Sequence, residues 1–189
     1  FLDEFDVIAK LRDDKNELGE LKRVVNSLLQ NIDGFNSDSI LIAATNHHEL
    51  LDPAIWRRFS TIVALEKPQK DEIAHYLNIL LANKSTDFIS SEKKLERIIS
   101  AFVGLSYSDI RTIILNALKT VVLSGREILT NCDVLKSIYL YEKHAVECEN
   151  DFIAFLLNHG VTHKEANESL GIPLRKIQSI SKSLERKEL

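Results

Sequence analysis

The 189-residue chain is 44% hydrophobic and 28% charged, long enough for one ordinary core or two small ones, and no apolar run approaches the length of a membrane-spanning helix. A formal net charge of -4 excludes a chain that is basic throughout for nucleic acid. Two cysteines, Cys132 and Cys148, form no framework of spacings and read as thiols of a reducing cytoplasm, so neither a membrane nor a disulfide scaffold is expected.

The first 65 residues alternate short β-rich runs with helical patterns, as half of a parallel α/β sheet would. "FLDEFD" reads as the end of a strand that delivers Asp3 and Glu4 at its C-terminal edge. "GELKRVVNSLLQNIDGF" sets Leu21, Val24, Val25, Leu28, Leu29 and Ile32 on one helical face and stops at Gly34. "SILIAATN" reads as a buried strand ending at Asn46, "LLDPAIWRRF" as a turn and short helix carrying Arg57 and Arg58, and "STIVAL" as a further strand.

After Lys67-Pro68-Gln69 the pattern is helical throughout, over about 69–83, 91–102, 106–123, 130–147, 151–158, 162–170 and 173–187. Ser106 with Asp109 and Thr130 with Asp133 have the spacing of helix N-caps, and Thr162 precedes "HKEA" in the same way. Three domains are therefore expected: 1–67, 68–147 and 148–189.

Certain side chains suit nucleotide chemistry. An Asp at a strand end can hold Mg²⁺, an adjoining Glu can polarise a water, and an Asn on the same sheet edge can donate to a γ-phosphate. Two guanidiniums at a helix end can reach a phosphate or a carboxylate. Taken singly, each is as ordinary as an acidic strand end, a turn-forming Asn or a surface basic pair. Their order and spacing change that. "FLDEFDVIAKLRDD" is similar to a Walker B motif with its following loop, and "ILIAATNHHELLDPAIWRRF" to a sensor 1 strand with an arginine-finger region. "GLSYSDIRTIILNAL" is similar to a sensor 2 helix. Over about residues 1–140 the chain resembles the AAA+ ATPases, in the subgroup of hexameric remodelling machines.

That resemblance implies an α/β fold: a partial parallel-sheet nucleotide-binding core, an all-α lid and a small C-terminal helical appendage. It implies ATP and Mg²⁺ as cofactors, with Asp3 the metal-associated acid, and Glu4, Asn46, Arg57 and Arg58 catalytic. Gly104, Ser106 and Asp109 would bind the nucleotide. The two arginines would reach a neighbouring subunit's nucleotide in a ring, a hexamer, and residues 12–19 would face its pore, acting on a macromolecule, a protein by preference. Three departures stand out. Arg57 and Arg58 are adjacent, where family members often separate the pair by Pro-Gly, which leaves open which is the principal finger. Tyr107 replaces a glycine of the lid motif, and none of the six glycines is followed by Lys, so no phosphate loop lies in these residues. The chain is thus expected to begin at its Walker B strand and, alone, not to hydrolyse ATP. The alternative is a non-catalytic oligomerisation platform or DNA-binding regulator.

The tail differs in charge: residues 151–189 carry six Lys/Arg against five Asp/Glu, the preceding 150 eighteen against twenty-three. "GVTHKEANESLGIPLRKIQSI" resembles a helix-turn-helix with its turn at Gly171, so residues 162–187 could meet DNA or, as a helical hairpin, a protein. Asn167 stands where a small Ala is usual in such a pair.

Overall fold

A computed structural model describes residues 1–9, 18–35, 39–146 and 148–185. Residues 12–17 of the expected pore loop, the Leu21 side chain, and Arg186 and Lys187 of the tail lie outside the described residues. The chain divides into two compact units, Phe1–Ala64 and Leu65–Leu189.

The first unit contains α1 (Phe5–Ala9), α2 (Leu18–Asp33), a 3-10 turn at His48–Leu50 and α3 (Pro53–Trp56). Leu2 pairs in parallel with Ala43: its N–H donates to the Ile42 carbonyl at 2.8 Å, and its carbonyl accepts from Ala44 N at 2.8 Å. Phe5, Leu29, Leu51 and Ile55 form a small core, with Val25, Leu28 and Ile32 of α2 packed against it. Val24, read onto the same face, is 50% exposed because it sits at the edge of that apolar stripe.

Two expected strands come out differently. Among the described residues "SILIAATN" is paired only through Ala43, and Ile40 and Ile42 are exposed. "STIVAL" makes no strand, and Ile62 and Val63 are exposed. A strand is stabilised by a ladder partner and a covering layer, and neither segment has a second neighbour among the described residues.

The second unit is helical: α4 (Lys70–Leu80), α5 (Glu92–Phe102), α6 (Tyr107–Leu123), α7 (Asn131–Lys143), α8 (Glu149–Asn158), α9 (His163–Leu170) and α10 (Leu174–Glu185). Two short parallel strands, β1 (Ser85–Thr86) and β2 (Ile128–Leu129), tie its loops together. Reciprocal caps start α6, α7 and α9, where Ser106 pairs with Asp109, Thr130 with Asp133, and Thr162 with Glu165. Arg126 grips Asp133 with two bonds of 3.0 and 2.7 Å, fixing the loop before α7. No helix of the described residues is long and apolar enough to cross a membrane.

The tail helices are part of this unit's core. Phe152, Ile153, Leu156, Val161, Ala166, Ile172, Ile177 and Ile180 are continuous with Ile98, Phe102, Ile113 and Leu135 of α5 to α7. Lys94 of α5 bridges Asp87 at 2.6 Å and Glu165 of α9 at 3.2 Å. Ile177 is fully buried. Ile177→Ala is therefore expected to lower the stability of the whole second unit by about 2–5 kcal/mol, read as one shifted urea transition. A separate early transition of the tail alone would show that its packing is independent.

Candidate active site

The parallel pairing of Leu2 with Ala43 brings Asp3 and Glu4 out at the same end as Thr45 and Asn46. In a regular parallel ladder the next donor after Leu2 would be the N–H of residue 4. Here Phe5 N donates to the Ala44 carbonyl instead, at 2.9 Å. Glu4 is the extra residue: its φ is 49°, in the left-handed region, and its N–H turns to Asp3 Oδ1 at 3.0 Å. A glutamate held there costs on the order of 1–3 kcal/mol, and such strain concentrates at functional sites. The bulge turns the backbone at Glu4, leaving both Asp3 and Glu4 exposed beyond the strand end.

The opposite segment is pinned by residues that motif reading passed over. Thr45 Oγ1 donates to Asp6 Oδ1 at 2.6 Å and accepts from His47 N at 2.9 Å. Asn46, between them, is exposed, with no side-chain hydrogen bond among the described residues. The only sequence signal for this clamp is an Asp two residues after Glu4 and a Thr just before Asn46, each unremarkable alone.

Asp52 caps α3 by accepting from Ala54 N at 2.8 Å, with Pro53 in the first turn. Burial of Ile55 holds this helix on the core, and Phe59 meets Phe5 edge-on at 5.8 Å. The two arginines that follow are not equivalent. Arg58 makes a fork with Asp33 at the end of α2, Nε to Oδ1 at 2.8 Å and Nη2 to Oδ2 at 2.9 Å, and also donates to the Ala54 carbonyl. These bonds hold the Asp33 carboxyl below the usual carboxylate range and push the Arg58 guanidinium further up. Arg57 is exposed, with no partner among the described residues.

In the second unit, Gly104 takes φ 91°, which turns the chain into the cap of α6. Asp109 Oδ2 accepts from Ser106 N at 3.0 Å and Ser106 Oγ at 2.8 Å, while Oδ1 accepts from the Tyr141 hydroxyl at 2.6 Å. Tyr107 lies edge-on to Tyr76, with ring centroids 5.0 Å apart. The Tyr141 hydroxyl, followed by the Ser106 donors, lowers the Asp109 carboxyl, and Asp109 raises the Tyr141 phenol.

The sign of each effect follows. Asp109 stabilises the fold above its ordinary value of 3.8 and loses that contribution as pH falls through its lower folded value. Tyr141 contributes up to its ordinary value of 10.0 and loses it as pH rises through its higher folded value. Tyr141→Phe is therefore expected to lower the urea midpoint between about pH 4 and about pH 10 and to converge on the parent's profile below and above that range, so that both flanks flatten. Superimposable profiles would show that the bond adds nothing.

The chain is similar to known proteins over most of its length. The family model for the "ATPase family associated with various cellular activities (AAA)" matches residues 1–67. An AAA family ATPase of Sinorhizobium fredii is 37% identical over 127 residues, covering 67% of this chain and 37% of its own length. The chloroplastic ATP-dependent zinc metalloprotease FTSH 7 of Arabidopsis thaliana is 31% identical over 177 residues, 86% of this chain and 22% of its own. The proteasome-activating nucleotidase of Aeropyrum pernix is 31% identical over 144 residues, 73% of this chain and 34% of its own. The chain thus spans between about a fifth and two-fifths of the length of these relatives. Among solved structures, the FIGL-1 AAA domain in complex with ADP superimposes with a TM-score of 0.59 at 19% identity, over 82% of this chain and 54% of that one. That likeness establishes the fold, a parallel-sheet α/β core followed by helices. Through residues 1–67, the chain belongs to the AAA family of ATPases.

Proposed function

We propose that this chain is the catalytic-edge and helical portion of an ATP-hydrolysing motor that assembles as a ring, a hexamer, and remodels or translocates a macromolecule, a protein by preference. The observation that carries the reading is the strand end where Glu4, in a strained left-handed conformation, emerges beside Asp3 on the same edge as Asn46.

Asp3 is an exposed carboxylate with one oxygen engaged by the Glu4 N–H. A hard oxygen donor with room for water is what magnesium takes from a protein when phosphates supply the remaining ligands, so the residue fits the ion. When bound, the ion neutralises charge on the β- and γ-phosphate oxygens. Glu4 accepts the proton of the attacking water, and the bulge sets where its side chain leaves the strand end. Asn46, steadied by the Thr45–Asp6 hydrogen bond, donates its amide to the γ-phosphate.

Arg57 acts on the nucleotide of the adjacent subunit, where a guanidinium stabilises charge developing in phosphoryl transfer. Arg58 is a positioning residue: its fork with Asp33 fixes the end of α3 and so the origin of Arg57. Gly104, Ser106 and Asp109 meet the nucleotide at the start of α6, where Gly104 turns the chain, Ser106 and Asp109 cap the helix and Asp109 also accepts from Tyr141. Cys132, buried, has its thiol pushed up to about 12 by desolvation, which makes it inert.

The test is ATP turnover by the intact protein and its Glu4→Gln variant. Turnover that survives removal of that carboxylate overturns the assignment.

A further inference from the structure

The tail carries a surface that ATP hydrolysis does not use. α9 and α10 are joined by the three residues Gly171, Ile172 and Pro173. Gly171 closes α9 at φ 70°, a conformation that favours glycine. The Asn167 amide donates to the Ile172 carbonyl at 2.8 Å, so a residue too large for the usual close approach instead locks the turn. Ile177 and Ile180 are buried, and α10 packs on α8 and α9. One face of α10 is thereby fixed inward and the opposite face is fixed outward.

That outer face carries Arg175, Gln178, Ser179 and Lys182, all exposed and spaced i, i+3, i+4 and i+7. No carboxylate interrupts it among the described side chains. Other cations nearby are neutralised: Lys176 is bonded to Glu149, Lys164 lies 3.7 Å from Glu168, and Lys94 and Arg97 both face Glu165. Arg175 and Lys182 have no ion pair among the described residues. They stand about 10 Å apart along the helix at ~1.5 Å per residue, within a groove about 12 Å wide.

We propose that α10 is a recognition helix that enters the major groove of duplex DNA. Arg175 and Lys182 neutralise phosphates at either side, and Gln178 and Ser179 between them face base edges. An amide can pair bidentately with adenine, and a serine hydroxyl can serve any base. A helix that follows a three-residue turn and a shorter supporting helix is the arrangement that delivers such side chains to a groove. The net charge of -4 repels polyanions elsewhere, so the contact is confined to this face.

The experiment is fluorescence anisotropy of the full chain with a labelled random-sequence duplex, titrated in KCl from about 25 to about 200 mM. The parent should bind with a log–log salt slope of about -1.8 or steeper, and Arg175→Gln/Lys182→Gln should flatten it by about 1.8 units. Lys119→Gln, an exposed lysine on α6, should leave affinity and slope as they were. All three substituted residues are exposed, so the variants should melt with the parent. Selection from the random pool should enrich a sequence that Gln178→Ala no longer prefers. No binding at about 25 mM salt, or a slope that the double variant leaves unchanged, overturns the proposal. The readout is independent of nucleotide, so it can fail while the ATPase assignment stands.

Discussion

Glu4→Gln is expected to cut ATP turnover by about 10²–10⁴-fold in the intact protein while nucleotide binding stays close to the parent's. The amide keeps the volume and hydrogen-bonding reach of the carboxylate but cannot take a proton. The backbone at residue 4 is fixed by the Phe5–Ala44 bond and by its own N–H on Asp3, neither of which involves the substituted side chain. The loss should therefore fall on kcat with KM little changed, the signature of an interaction made only in the transition state. Comparable loss of nucleotide affinity would mean that Glu4 holds the ligand and does not drive the step.

Arg57→Ala is expected to lower turnover by about 10³-fold or more, the scale on which arginine fingers act, with ATP still bound in the variant's own pocket. Arg58→Ala should also lower turnover, by a different route: it removes the fork to Asp33 and frees the end of α3. Asp33→Ala separates the two roles. It leaves both guanidiniums in place but releases Arg58, so it should reproduce the Arg58→Ala loss if positioning is what matters. An Asp33→Ala protein as active as the parent would show the fork to be incidental to hydrolysis.

Much of the helical unit was legible because its signals are local. Ser106 with Asp109, Thr130 with Asp133 and Thr162 with Glu165 are reciprocal caps three residues apart, and such pairs announce themselves in sequence. The edge shared by Asp3 and Asn46 was legible from the order of motifs, since parallel strands present their C-terminal ends together. The fork between Arg58 and Asp33 was not, because it joins residues 25 apart through the packing of α2 against α3's neighbourhood. The Thr45–Asp6 clamp spans 39 residues and was hidden for the same reason.

The run around Ile62 and Val63 shows the opposite failure. Its β-branched residues invited a strand, but pairing depends on a neighbour, and none lies beside it among the described residues. At Asn167 the departure from a small residue acquired a physical account only with the turn in view, where its amide bonds the Ile172 carbonyl. Glu4's left-handed backbone has no local cue, since nothing in "LDEF" distinguishes it from an ordinary acidic strand end.

The central claim is that Glu4 of one subunit and Arg57 of the next act on a single nucleotide. Mixing Glu4→Gln and Arg57→Ala proteins in equal amounts, each inactive alone, tests it most directly. In a randomly mixed ring with head-to-tail interfaces, about a quarter of the interfaces join an intact Glu4 to an intact Arg57. ATP turnover should reappear at up to about that fraction of the parent rate, and should depend on subunit exchange. No recovered turnover in rings shown by native mass spectrometry to contain both variants would contradict the account.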